Sequence, residues 1–264
     1  MNNTIEFLDW NFESLFKNFS LAIKSETLTS IAGPNNCGKT LMLRTICGQK
    51  RMQDEIMIQG KKQSTYKITD YSRIVKGVFP LEYTPLTDTV EEELNYHIDQ
   101  LFLRKEEKTK RLRNIYKNLT LNKLKKSNIK DLTEEELIRL QLALAIAGMP
   151  KIIVIDDIST YLSKEDMQKV ITYLKEVAEE YKITILIVSS RLEDIINTDE
   201  LIIVEDSKVI LQGVPIEVLQ KDNILNKVGL RVPFMIDLSV KLKDYNLIEN
   251  VELDMNRMVD ILWK

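Results

Sequence analysis

At 264 residues, 44% of them hydrophobic, the chain can bury one large core and a small appendage, and its formal net charge of -3 argues against nucleic acid as the main partner. Two cysteines, Cys37 and Cys47, cannot build a disulfide framework, which points to a reducing cytosol. No apolar run approaches the ~20 residues that span a bilayer, and Met1-Asn2-Asn3-Thr4 does not read as a leader, so any membrane connection is expected to run through a partner.

The chain opens with strand-like segments at 4–8 and 19–23, followed by a third, Thr27-Leu28-Thr29-Ser30-Ile31-Ala32. Next comes Gly33-Pro34-Asn35-Asn36-Cys37-Gly38-Lys39-Thr40, which fits the phosphate-cradling pattern G-x-x-x-x-G-K-[ST]. Leu41 leads into an apolar helix through Cys47, so the loop lies between strand and helix, as the chemistry requires. Two glycines let the backbone wrap closely, its N–H groups converge on phosphate oxygens, and the helix offers its positive end to the same anion. Lys39 is expected at the β/γ-phosphates and the Thr40 hydroxyl at a Mg²⁺ ion.

A further strand and turn are read at Glu55-Ile56-Met57-Ile58 and Gln59-Gly60-Lys61, and a short apolar run covers 74–79, closed by Pro80. From Thr89 to about Ser127 the pattern turns helical, with a dense basic stretch from Arg104 to Lys130. It reads as an inserted helical subdomain with a solvated basic face; the alternative is a docking surface for acidic partners or lipid headgroups. His97, the only histidine, reads as a surface or packing residue.

Lys151-Ile152-Ile153-Val154-Ile155-Asp156-Asp157 is a continuous apolar strand ending in two carboxylates, which suits a parallel strand covered on both faces. It delivers acid to the carboxyl edge of the sheet, where ligands of open α/β sheets bind. Asp156 is placed to hold Mg²⁺ through water and Asp157 to orient an attacking water. An amphipathic helix over 165–181, a buried strand over 183–188 and a hairpin around Glu205-Asp206-Ser207 follow. The alternation of strands and helices indicates a largely parallel sheet.

These residues together resemble the ATP-binding subunits of ABC transporters, and among them the ATPases of energy-coupling factor (ECF) transporters. The resemblance runs through the phosphate loop, Gly77-Val78-Phe79 ahead of Thr89-Val90-Glu91-Glu92-Glu93, the run from Leu132 to Pro150 and the Asp156 strand. The subgroup is carried by the tail: Gly213-Val214-Pro215-Ile216-Glu217-Val218, Gly229-Leu230-Arg231-Val232-Pro233-Phe234 and a final Asp260-Ile261-Leu262-Trp263. The resemblance implies an α/β P-loop NTPase core with a mainly parallel sheet, antiparallel N-terminal strands, a helical subdomain inserted at about 89–148 and a small C-terminal extension. The ATP-binding domain would occupy 1–212 and the extension 213–264. It further implies an ATPase using ATP and Mg²⁺ to drive uptake of a vitamin or metal ion, peripheral on the cytoplasmic face of the cell membrane. Its partners would be a second ABC ATPase chain in a head-to-tail dimer, a transmembrane coupling subunit docked near residues 80 to 90, and a substrate-binding membrane subunit. Phe12 falls where the family stacks an aromatic ring on adenine.

Several positions depart from the family pattern. Pro80 replaces a glutamine, with Glu82 as a candidate substitute, Asp157 stands at the catalytic glutamate, Ser190 at the switch histidine and Ser163 at an aspartate. The signature segment, normally Leu-Ser-Gly-Gly-Gln, is Leu132-Thr133-Glu134-Glu135-Glu136, which reads as a capping box with acid in the first turn. The expectation is a chain that binds Mg-ATP and hydrolyses it slowly beside a more complete sister chain; the alternative is a nucleotide-binding pseudoenzyme.

Overall fold

The computed structural model describes residues 3–50, 52–80 and 82–263. Met1 and Asn2 of the stretch read for a leader, Leu81 of the 80–90 groove and the last residue of the tail lie outside the described residues.

Strands β1 (Asn3–Phe12) and β2 (Phe16–Lys24) pair antiparallel, Phe7 opposite Leu21 and Trp10 opposite Phe19. Alternating burial along β2 gives the hairpin one wet face and one face lined by Phe7, Trp10, Phe16 and Phe19. These rings touch at centroid separations of 4.5 to 6.4 Å and dominate the core under this sheet. β3 (Leu28–Ala32) runs into the phosphate loop and α1 (Lys39–Ile46). Strands β4 (Ile56–Ile58) and β5 (Lys61–Lys62) complete the antiparallel sheet in the order β2-β1-β4-β5.

A short helix, α2 (Ile68–Ile74), precedes β6 (Val75–Val78), so the apolar run over 74–79 begins on the last residue of a helix and continues as a strand. The seven residues of α2 carry only one buried side chain, Tyr71, which leaves no helical period to detect. The inserted region holds α3 (Val90–Asp99), α4 (Lys105–Asn118) and α5 (Glu134–Ala147). Then follow β7 (Ile152–Ile155), α6 (Lys164–Tyr181), β8 (Thr184–Val188), β9 (Glu200–Glu205) and β10 (Lys208–Gly213).

The second sheet has the order β10-β9-β3-β8-β7-β6, with every neighbouring pair parallel except the β9/β10 hairpin. β3, β7 and β8 are buried along their whole length, as strands covered on both faces must be. One face packs on α3 to α6, the other on α1 and the aromatic sheet. The tail forms α7 (Pro215–Leu219), α8 (Asp222–Lys227), α9 (Phe234–Asp244) and α10 (Met255–Leu262). Val218, Leu219, Leu225 and Ile236 of the tail share an apolar cluster with Ala32, Leu201 and Ile203, so the tail rests on the β3/β9 side of the sheet. Because the strands are parallel, the segments that leave β3, β6, β7 and β8 all emerge at one edge.

Candidate functional site: a phosphate loop facing two carboxylates

The loop after β3 owes its shape to two glycines. A Cβ on Gly33 would lie 2.1 Å from the Val204 carbonyl oxygen of the neighbouring strand β9, so no larger residue fits. Gly38 has φ 93° and caps α1, and a Cβ there would meet the Phe16 ring at 2.5 Å. α1 starts with no side-chain cap and no acidic residue in its first turn, which leaves its first amides free to face an anion. Lys39 reaches back across the loop, its ammonium donating to the carbonyls of Gly33 at 2.8 Å and Pro34 at 2.7 Å and lying 3.6 Å from Cys37 Sγ.

The Thr40 hydroxyl donates to Asp156 Oδ1 at 3.1 Å, bringing together the two groups predicted to hold a metal. Burial pushes the Asp156 carboxyl above its ordinary range, against the bond from Thr40, as expected of an acid placed for a cation. Among the described residues no group of three His, Cys, Asp or Glu side chains could hold a metal ion alone. One carboxylate and one hydroxyl suit Mg²⁺, which completes its shell with water and substrate phosphate oxygens.

Asp157 is held from two sides. Its Oδ1 accepts from the Ser159 N–H at 3.2 Å and from the Ser159 hydroxyl, and its Oδ2 accepts from the Ser190 N–H at 3.1 Å. The Ser159 and Ser190 hydroxyls are 3.4 Å apart. The predicted base and the predicted switch residue are therefore neighbours, and the carboxylate ties the end of β7 to the end of β8.

Gly38, Lys39, Thr40, Asp156, Asp157 and Ser190 border a cavity of about 740 Å³ that also takes in Asn35, Asn36 and Leu41 of the loop. Lys39, Arg44 and Lys50 line it together with the carboxylates of Asp156 and Asp157, a balance suited to a polyanion carrying a divalent metal. Phe12 does not border it: the ring packs 5.6 Å from Trp10, and Leu15 takes the place beside the loop. Gly33, Pro34 and Cys37 shape the loop from behind rather than lining the cavity. Leu15, Arg44 and Lys50 were missed because nothing local in the pattern marks them; only the fold brings them to the loop. Burial pushes the thiol of Cys47, just past the end of α1, up to about 12.

Arg44 joins this cavity to a smaller one, about 180 Å³, lined by Lys76, Phe79, Glu82, Tyr83, His97 and Gln141 among others. Its guanidinium pairs with Glu82 and lies 5.0 Å from the Phe79 ring centroid. His97 is half-buried there, 3.6 Å from Glu93, and burial lowers its pKa. Glu93, fully buried, accepts from the Tyr83 hydroxyl, from the Leu86 N–H at 3.1 Å and from the Thr87 N–H and hydroxyl, each at 2.8 Å. Burial pushes that carboxyl up, but the bonds outweigh it and leave it below its ordinary range. One glutamate thus fixes the 83–87 stretch, a role its place in an acidic triplet hides.

At the start of α5 the predicted capping box is formed: the Glu136 N–H donates to Thr133 Oγ1 at 3.2 Å and the Thr133 N–H to Glu136 Oε2 at 2.9 Å. Glu135 accepts from Arg139 at 3.0 and 2.7 Å, and Arg139, nearly buried, also lies 3.4 Å from Asp166. None of these residues borders the phosphate-loop cavity of their own chain.

A family model described as "ABC transporter" matches residues 16–160. An energy-coupling factor transporter ATP-binding protein, EcfA, of Pediococcus pentosaceus is 24% identical over 257 residues, covering 97% of this chain and 92% of that protein. EcfA1 of Ligilactobacillus salivarius is 25% identical over 222 residues, covering 83% and 79%. The solved structure of cbiO1 from Clostridium perfringens, described as part of the ABC transporter complex cbiONQ, superposes with a TM-score of 0.73 at 22% identity, over 90% of this chain and 99% of that one. With more than half of its length matched, phosphate loop and carboxylate strand included, the chain belongs to the ABC transporter family.

Proposed function

We propose that this chain is an ATP-binding subunit of an ECF-type importer, coupling Mg-ATP binding and slow hydrolysis to uptake of a vitamin or metal ion through membrane partners. The observation that carries the reading is the convergence of Lys39, Thr40 and Asp156 on one charged cavity. In it, the loop 33–41 receives the β/γ-phosphates through its cavity-facing N–H groups and Lys39, and Thr40 with Asp156 would hold Mg²⁺, which would supply charge neutralisation at the phosphates. Leu15 takes the nucleoside end, with Phe12 behind it. The domain divides at 212/213, with the helical insertion at about 89–148. A transmembrane coupling subunit docks beside the 80–90 stretch, whose 83–87 part Glu93 fixes, and a separate membrane subunit carries the substrate; the chain is peripheral on the cytoplasmic face.

Slow turnover follows from Asp157, one methylene shorter than a glutamate, whose oxygens are already engaged by Ser159 and Ser190. A water there competes with bonds the carboxylate makes to its own chain, and a displacement of about 1 Å can cost about a hundredfold in rate. The α5 start, acidic and self-capped, is a poor cap for a nucleotide on the facing subunit, which favours pairing with a sister ATPase over self-pairing. The same bonds to Asp157 favour the second reading, a pseudoenzyme that binds ATP to hold a complex together.

Phosphate release by the purified chain separates the two. Steady release abolished by Lys39→Ala and by Asp157→Asn supports the enzyme. ATP binding with release no higher than that of Lys39→Ala supports the pseudoenzyme, and no binding of Mg-ATP in calorimetry defeats both. Co-purification with the neighbouring chains identified by mass tests the partners.

A further inference from the structure

We propose that the turn between α3 and α4, with the exposed ridge of α4, is a docking surface for an anionic lipid bilayer. Between residues 104 and 130 the sequence has eleven Lys and Arg against two Glu, in a chain whose formal net charge is -3. Much of that charge is free to act outward. Lys108 pairs with Asp99 and Arg111 with Glu107, but Lys110, Arg113 and Lys117 pair with no carboxylate among the described residues. Their spacing of three and four places them along one ridge of the helix, with Glu106 at its start, while Arg111, Ile115 and Tyr116 are buried. Exposed Arg104 and Lys105 extend the positive surface to the turn.

The turn supplies the second half of the observation. Phe102 is 94% exposed, the most exposed large apolar side chain among the described residues, and has φ 51°. It is held by ordered backbone rather than a loose end: the Leu101 N–H donates to Ile98 at 3.1 Å and the Phe102 N–H to Asp99 at 3.3 Å. An aromatic ring presented in water two residues ahead of a cationic ridge matches the chemistry of the membrane interface, where rings settle at headgroup depth and cations meet anionic phosphates. A bilayer accepts a lone ring without a shaped pocket, whereas an acidic protein would need one to cover it. The surface owes nothing to nucleotide chemistry, and its failure would leave the proposed function standing.

The test is sedimentation of the full chain with vesicles, of phosphatidylcholine alone or of equal parts phosphatidylglycerol and phosphatidylcholine. The expected result is binding only to the anionic vesicles, lost as salt shortens the reach of the charges. At about fivefold in partitioning per surface cation, the triple variant Lys110→Ala/Arg113→Ala/Lys117→Ala should bind about a hundredfold more weakly. Phe102→Ser should weaken vesicle binding several-fold and leave binding to soluble poly-glutamate unchanged. All variants should keep wild-type melting and nucleotide affinity, since none touches the core or the phosphate loop. Equal binding to both vesicle types, or wild-type binding by the triple variant, overturns the assignment. So does poly-glutamate binding as tight as that to vesicles with Phe102→Ser altering neither, an outcome that makes the ridge a site for an acidic protein.

Discussion

Two helices of this molecule begin in opposite ways. α1 opens on a left-handed glycine, with no side-chain cap and no acid in its first turn; α5 opens on a threonine cap closed by Glu136, with Glu134 and Glu135 beside it. A helix start carries about half a positive charge and several unpaired N–H groups, and each sequence disposes of them differently. The first leaves them open, as an anion would need. The second satisfies them internally and surrounds them with negative charge, which makes it a self-contained helix end.

The contrast can be broken most forcefully at Lys39. Lys39→Ala should weaken Mg-nucleotide binding by about a hundredfold, from the loss of charge-assisted hydrogen bonds, as read by calorimetry. Asp156→Asn should cost about thirtyfold with magnesium and almost nothing with the metal chelated, because the carboxylate acts only through the ion. At the other helix, Glu135→Ala should destabilise the fold by about 1.5 kcal/mol in urea unfolding, since Arg139 keeps only the longer contact to Asp166. Thr133→Ala should cost about 1 kcal/mol through loss of the cap. Glu134→Ser, at an exposed position, should change stability by less than about 0.5 kcal/mol. The same substitution should raise phosphate release in the assembled complex; unchanged release would mean that this glutamate lies clear of the facing nucleotide.

Much of this contrast was legible in the sequence, for a physical reason. The phosphate loop, the capping box and the carboxylate strand are each built from residues within a few positions of one another, so spacing alone carries their geometry. Contacts between distant segments escaped. Nothing near Leu15 says that it borders the loop while Phe12 turns to Trp10, and nothing near Asp157 says that Ser190, just past the end of the next strand over, will occupy one of its oxygens. Glu93 was hidden in the same way: its acidic neighbours Glu91 and Glu92 face solvent, and only the closing of the 83–87 stretch around α3 makes it the buried member.

The aromatic ring beneath Gly38 has a consequence for how this chain can vary. Phe16 belongs to a hairpin far earlier in the sequence, yet its edge leaves no room for even a methyl group at position 38. A larger residue there would have to lift the loop off its floor or find a smaller side chain at 16, and would still be strained by the left-handed backbone. Positions 16 and 38 are thus bound to a shared fate, and the hairpin is part of the anion seat without supplying it a single polar atom.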